Sequence, residues 1–388
     1  MSDVRVAGTG ITAFGNMPER TGRDLFAQAS IAAVEDSGVD RADVDAVFYG
    51  NFMGELAEHQ GHQGPLMAEA AGVHAPATRY EAACASAGAA VRDAVYRIRA
   101  GAADVVLVGG VERMTNLGTA GATEALAIAA DDLWEVRAGM TFPGAYALMA
   151  QAYFTEYGGE REDLAHIAVK NHENALPNEK AQYRSAIEVS DVLEAPMVSS
   201  PLGLYDSCPL SDGAAAMVLT SEAYAKEHDL EAPVAVTGTG QGGDRLALHD
   251  REHLARSPAA RKAGEEAYAD AGIDADDVDI AEVHDCFTIA EVLAIEALDL
   301  AGVGEGISAA RDGRTTADGE TPVNLSGGLK AKGHPVGATG VSQIAEIADM
   351  LAGEHPNSSF VEDATTGVAH NAGGTVASAT VHVVEVVE

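Results

Sequence analysis

The sequence is short of positive charge. Asp and Glu number 60 among its 388 residues, against 24 Lys and Arg, only six of them lysine, for a formal net charge of -36. A surface this negative repels nucleic acid and anionic membranes, which excludes both as partners. It fits a chain kept soluble at very high salt, where self-repulsion is screened, and a halophilic source is the expectation. Cysteine is scarce as well. Cys84, Cys208 and Cys286 form an odd set without close spacing, so neither a disulfide framework nor a CxxC zinc site is expected. No apolar run reaches the about 18 residues of a membrane span, and the opening MSDVRVAGTG lacks a basic segment followed by an apolar one. A cytoplasmic protein is therefore expected. What is present is a hydrophobic fraction of 47%, that of a globular protein, on a chain long enough for two or three domain-sized units.

The chain repeats itself. The strand-like Val4-Arg5-Val6-Ala7-Gly8-Thr9-Gly10 recurs as Val234-Ala235-Val236-Thr237-Gly238-Thr239-Gly240, and GVDRADVD (from Gly38 to Asp45) recurs as GIDADDVD (from Gly272 to Asp279). Two matches in one order at nearly one offset imply an internal duplication. Strands alternate with alanine-rich helices in each half, which predicts a layered α/β fold with two similar sheets packed together. The stretch from Asn116 to Ala195 has no counterpart in the second half and reads as an inserted lobe covering a site. The expected divisions are residues 1–115 for the first half, 116–195 for the lobe, 196–228 for completion of the first half, and 229–388 for the second half.

Both GTG repeats match the start of a dinucleotide-binding pattern. However, no helix opens directly at either turn and no acidic residue closes the second strand to hold a ribose, so duplication explains them better. Cys84, in EAACASAG, stands between a short strand and a long helix, where free N–H groups and the helix dipole favour thiolate; the competing reading is a small buried cysteine. His334 sits between Gly333 and Pro335 in a glycine-rich turn feeding another helix. It suits a base that takes a thiol proton, with a structural loop histidine as the alternative. His284 and Cys286 end a strand in VHDCF, ahead of Thr288 and Glu291, which are spaced as a capping box. Zinc is disfavoured at this pair because no second close pair accompanies it. A last loop offers His370 and Asn371 before Gly373 and Gly374, glycines that let backbone N–H groups approach an oxygen. Such loops meet at the sheet ends, where α/β folds bind ligands.

Taken together, EAACASAG, VGGVERMT, SDGAAAMVL, VHDCF, SGGLKAKGHPVGATG and HNAGG, in this order, make the chain similar to the thiolase family almost end to end. The resemblance implies a duplicated, five-layered α/β/α/β/α fold with a loop lobe, in homodimers or homotetramers. Where most thiolases carry Asn-Glu-Ala-Phe this chain has His284-Asp285-Cys286-Phe287, and where they carry Cys-x-Gly it has Asn371-Ala372-Gly373. It resembles in this the sterol-carrier-protein-type and archaeal thiolases.

The resemblance then implies Cys84 as nucleophile, His334 as base, Cys286 as acid and base, and His284 as holder of an oxyanion water. The backbone N–H groups of Cys84 and Gly373 form the oxyanion hole. Cys208, Tyr146 and Asn371 bind substrate, with simple burial as the equal alternative for Cys208, and with Tyr146 standing near where a lobe histidine is often found; apart from the resemblance, Asp285 reads as supporting the turn into the helix. Coenzyme A thioesters are substrates, with no resident cofactor or metal. The implied activity is condensation of two acetyl-CoA to acetoacetyl-CoA and the reverse thiolysis, serving mevalonate or fatty-acid metabolism. A ketoacyl or hydroxymethylglutaryl-type condensing synthase is the rival enzyme, and an acyl-CoA-binding subunit the non-enzymatic rival. A zinc-ribbon and OB-fold protein and hydroxymethylglutaryl-CoA synthase are the implied protein partners.

Overall fold

A computed structural model describes residues 4–387. Its strands are β1 (Val4–Ile11), β2 (Ala46–Gly50), β3 (Ala77–Tyr80), β4 (Val105–Glu112), β5 (Met197–Ser199), β6 (Leu202–Gly203), β7 (Gly213–Ser221), β8 (Val234–Gly243), β9 (Ile280–Glu282), β10 (Thr366–Gly373) and β11 (Ser378–Val386). Apart from the β5–β6 ribbon, they run in the order β3-β2-β4-β7-β1-β8-β11-β10-β9. The order is a mirrored repeat: β1 and β8 meet at the centre, and Val323 bridges Ala281 of β9 at the far end, in the place that β3 holds at the other. The two sheets expected from the duplication are thus also joined edge to edge, through Val4↔Val236, Arg5↔Ala235 and Val6↔Val234.

Five layers result. The Gly22–Ser37 and Gln63–Ala70 helices cover the outer face of the first half's strands, and the Pro258–Ala271 and Thr288–Ala297 helices cover that of the second. Between the sheets lie the Ser86–Arg99 and Thr339–Leu351 helices, in a core that joins Val106 and Met217 of one half to Val236, Ile280 and Val384 of the other. A helix enclosed on both sides must be small or apolar around most of its surface, and Thr339–Leu351 is buried at every position but Asp349 and Leu351.

The GTG repeats lie inside β1 and β8 rather than at strand-to-helix turns. A Cβ on Gly8 would stand 2.4 Å from the Ala33 carbonyl, and one on Gly238 2.2 Å from that of Ala267. These glycines let each outer helix press its backbone onto its strand, which is what the duplication preserves.

Residues 116–195 supply the Gly118–Ala127, Phe142–Tyr157, Arg161–Asn174 and Val189–Glu194 helices. Tyr146, Met149 and Tyr153 of the second of these pack against Cys286, Phe287, Ile289 and Leu293. The lobe is thereby fixed over the end of β9, where the second half carries its thiol.

Candidate active site

Cys84 occupies the turn between β3 and the Ser86–Arg99 helix, one residue before the helix cap at Ala85. The turn is tightly wound: Ala83 has φ 50°, in the left-handed region that alanine seldom takes. Ser86 Oγ accepts from the Ala82 N–H and donates to the Ala83 carbonyl. His334 arrives from the other half at the foot of the second central helix. The two helices touch at their first turns, since a Cβ on Gly340 would lie 2.4 Å from the Gly88 nitrogen. This approach sets thiol and imidazole side by side.

Hydrogen bonds assign the ring protons. Thr339 Oγ1 donates to the Pro335 carbonyl at 3.0 Å, so toward His334 Nδ1, 2.8 Å away, it can only accept. His334 therefore carries its proton on Nδ1 and offers Nε2 as a lone pair. At His284 the arrangement is reversed. The Asn371 amide oxygen accepts from the Gly88 N–H at 3.4 Å, and its NH2 donates to His284 Nδ1 at 3.2 Å. His284 then holds its proton on Nε2, a buried atom with no protein partner. The two rings stand edge to face, 4.9 Å apart. One is a base and the other a donor.

Sγ of Cys84 and one ring nitrogen from each histidine lie within 4.8 Å of one another. Tetrahedral zinc, with bonds of about 2.0–2.3 Å, would draw its ligand atoms to roughly 3.3–3.7 Å apart. The same three groups can hold a carbonyl between a nucleophile, a base and a donor.

Above Cys84 opens a cavity of about 640 Å³ lined by all three cysteines together with His334, Tyr146, Phe287 and Gly374. Cys208 and Cys286 face each other across a short antiparallel bridge, with the Cys208 N–H donating to the Cys286 carbonyl at 3.0 Å. Tyr146 stacks on Phe287 with ring centroids 4.6 Å apart and donates its hydroxyl to the Gly374 carbonyl at 3.0 Å.

Several expectations change. Cys84 is not a resting thiolate: burial pushes its thiol up to about 12, and the Gly374 N–H that lowers it is outweighed. Burial likewise pushes His334 down to about 3 and His284 well below the usual histidine range, so the resting pair is neutral. The amide facing the Cys84 sulfur is that of Gly374. Gly373, the expected oxyanion donor, is the neighbouring residue: it ends β10, paired with Ser378, and its carbonyl accepts from the Ala377 N–H. Asn371 does not line the cavity; it acts through His284. Thr288 and Glu291 form no capping box, because tertiary partners claim both side chains. Thr288 donates to Asp206, and Glu291 pairs with Lys170 at 2.9 Å. Asp285, buried, accepts from the N–H groups of Leu329 and Lys330 and from the Asn171 amide. It binds the VHDCF turn to the segment leading to His334 rather than supporting its own helix.

Three positioning residues escaped the sequence reading. Thr339 fixes the His334 tautomer, Ser211 Oγ accepts the His334 N–H at 3.0 Å, and the buried Glu112 accepts from Phe52, Met53 and Gly337. Each lies within a recognisable motif, but only the folded chain pairs it with its partner.

Residues 4–223 match the family model for the thiolase N-terminal domain, and residues 240–386 match the thiolase C-terminal domain-like model. The chain is 44% identical over 384 residues to an acetyl-CoA acetyltransferase of Methanothermobacter thermautotrophicus, covering 99% of each chain. It is 30% identical over 391 residues to sterol carrier protein 2 of Homo sapiens, covering 95% of this chain and 70% of that one. A solved structure of an Ltp2-ChsH2(DUF35) aldolase superposes with a TM-score of 0.84 at 25% identity, covering 99% of this chain and 98% of the other. With both halves matched and the thiol, base and donor gathered in one cluster, the chain belongs to the thiolase family.

Proposed function

We propose that this chain is an acyltransferase that condenses two acetyl-CoA into acetoacetyl-CoA and CoA, and in reverse cleaves short 3-ketoacyl-CoA. The observation that carries the reading is the pair of imidazoles with opposite free edges beside Cys84, next to a cavity lined by Cys84, His334 and Cys286. The name of the Methanothermobacter relative supports the choice of acetyl-CoA.

The proton count follows from the tautomers. His334 Nε2 takes the Cys84 proton as the sulfur attacks the thioester carbonyl, and the N–H groups of Cys84 and Gly373 hold the oxyanion. When the carbon–sulfur bond of the thioester breaks, Cys286 gives its proton to the departing CoA thiolate. That leaves Cys286 as a thiolate and His334 with a proton on Nε2. The second acetyl-CoA sets its thioester oxygen against two donors, Nε2–H of His334 and a water held by Nε2–H of His284, which makes its methyl group acidic. Cys286 removes a methyl proton, the carbanion attacks acetyl-Cys84, and the released Cys84 recovers its proton from His334. No resident cofactor or metal enters this cycle.

The test is thiolysis of acetoacetyl-CoA in concentrated KCl. Cys84→Ala should lower the rate by about a thousandfold or more. Cys286→Ser should still take radiolabelled acetyl onto Cys84 while losing condensation. Activity surviving Cys84→Ala would refute the assignment, and a wild-type chain inert to both substrates would favour the acyl-CoA-binding subunit.

The same reading extends to assembly. The two-component name of the solved aldolase supports a second protein as partner, which we read as a zinc-ribbon and OB-fold protein, alongside a homodimer or homotetramer of this chain. Light scattering of the chain in 2–3 M KCl, alone and with candidate partners, tests both. Among the described residues no helix is long and apolar enough to cross a membrane, and we place the protein in the cytoplasm.

A further inference from the structure

We propose that His382 is a positioning residue for His284: through Gly88 and Asn371 it fixes the tautomer that leaves His284 with a proton to donate. The inference rests on the oxyanion-holding role given above to His284.

The duplication marks His382 as out of place. Thr9 of the first GTG repeat pairs with Met217 on β7, and Thr239 of the second pairs with His382 on β11, so Met217 and His382 hold equivalent positions. Met217 belongs to the apolar core between the sheets. His382 faces the same core, because Val381 and Val383 on either side of it pack outward beneath the Pro258–Ala271 helix. It is 1% exposed. An imidazole buried where the other half carries a thioether needs partners for both nitrogens, and it has them. Nε2 lies 3.1 Å from the Gly88 carbonyl, which can only accept, so that nitrogen carries the proton; Nδ1 then accepts from the Thr239 hydroxyl, also at 3.1 Å. Burial pushes the ring down to about 4, which keeps it neutral.

Gly88 is the next link. It stands in the first turn of the Ser86–Arg99 helix, where a Cβ would run into Thr380 Oγ1 of β11. Its bare backbone therefore lies against the sheet, and His382 pins the carbonyl there. The Gly88 N–H is directed at Asn371 Oδ1, 3.4 Å away. An amide side chain keeps its shape when oxygen and nitrogen are exchanged, so hydrogen bonds must choose between the two orientations. The Gly88 N–H needs an acceptor, which turns Oδ1 toward the helix and the NH2 toward His284 Nδ1 at 3.2 Å. In the exchanged orientation Oδ1 would face Nδ1, the His284 proton would move there, and Nε2 would present a lone pair where the reaction needs a donor. Buried groups of β8, β11, the first central helix and β10 thus form one line of hydrogen bonds that ends on the His284 proton.

The experiment borrows the first half's own residue. His382→Met removes the donor and installs the side chain that Met217 shows this position can pack, and His382→Gln restores an N–H donor. Nitrogen-15 spectra of the free chain, with the His284 signals assigned by their loss in His284→Asn, should show the Nε2–H form alone in the wild type. His382→Met should show a mixture of both tautomers, and His382→Gln the Nε2–H form again. Condensation should fall about tenfold in His382→Met while acetylation of Cys84 changes by about twofold at most, since His284 acts only on the second acetyl-CoA. Thr239→Val, which removes the hydroxyl that fixes the His382 tautomer, should move the His284 tautomer in the same direction and replaces His382→Met should that variant fail to fold. An unaltered His284 tautomer, a His382→Gln chain as impaired as His382→Met, or an equal loss of both half-reactions would overturn the proposal. Failure of the wild-type chain to acetylate Cys84 would instead count against the overall function, since the tautomer measurement uses no acyl-CoA.

Discussion

Thr339 Oγ1 stands 2.8 Å from His334 Nδ1 and 3.0 Å from the Pro335 carbonyl, and this pair of contacts decides which edge of the imidazole is basic. A hydroxyl that donates to a carbonyl can only accept from the ring, so the lone pair faces Cys84. Thr339→Val keeps shape and removes the acceptor. A buried hydrogen bond is worth about 0.5–1.5 kcal/mol, and here it separates a competent tautomer from an incompetent one. Thiolysis should slow roughly tenfold with little change in KM, and nitrogen-15 spectra of His334 should show a mixture of tautomers. An unaltered rate would mean that the backbone alone sets the tautomer.

The neutral Cys84–His334 pair has its own signature. With the thiol pushed up to about 12 and the imidazole down to about 3, the free enzyme holds little thiolate at neutral pH. Below 12 the thiolate fraction rises about tenfold per pH unit. Iodoacetamide labelling of Cys84, read by mass spectrometry without substrate, should climb steadily from pH 6 to 9. A plateau across that range would reveal a preformed thiolate–imidazolium pair and contradict the burial argument.

Close contact between the central helices gives a third prediction. Gly340→Ala would set a methyl group 2.4 Å from the Gly88 nitrogen and 2.5 Å from Asn371 Oδ1. Both neighbours are fixed, one as backbone and the other by its bond to His284. Overpacking of this kind costs about 1–3 kcal/mol. Because the helices that separate carry Cys84 and His334, activity should fall further than stability. Thermal unfolding and kcat measured on one preparation would decide this, and a variant that is destabilised but fully active would show that the approach of Gly88 to Gly340 does not set the site.

What could be read from sequence was local pattern. The GTG and GVDxxDVD repeats lie within single strands and turns, so the duplication was visible before any fold was known. The glycine-flanked Cys84 and His334 likewise announced reactive turns. Properties set by neighbours distant in sequence were not visible. Thr288 and Glu291 have the spacing of a cap, yet Asp206 and Lys170 bind them from elsewhere in the chain. Cys84 lies where a helix terminus should favour thiolate, but burial by the surrounding chain outweighs the dipole.

The charge balance yields a last prediction, in which two salt effects oppose each other. Exposed pairs such as Arg261–Asp299 and Arg314–Glu320 weaken as salt screens them, but such pairs are worth only about 0–1 kcal/mol each. Against them stands the excess of 36 acidic over basic residues, whose mutual repulsion is relieved by the same screening. The Debye length falls from about 10 Å at 0.1 M to about 3 Å at 1 M, which removes repulsion between carboxylates that are not direct neighbours while leaving the buried Lys332–Glu346 pair largely untouched. Repulsion therefore outweighs pairing, and salt should stabilise the fold. At an unfolding entropy of about 2.1 cal/mol/K per residue over 388 residues, a gain of about 2 kcal/mol corresponds to a rise in Tm of roughly 2–3 °C, and at least that is expected between 0.1 M and 2 M KCl. Choline chloride at equal ionic strength should reproduce most of the gain if screening is the cause. A Tm that falls with salt, or that rises only in sulfate, would place the stabilisation elsewhere than in relief of acidic repulsion.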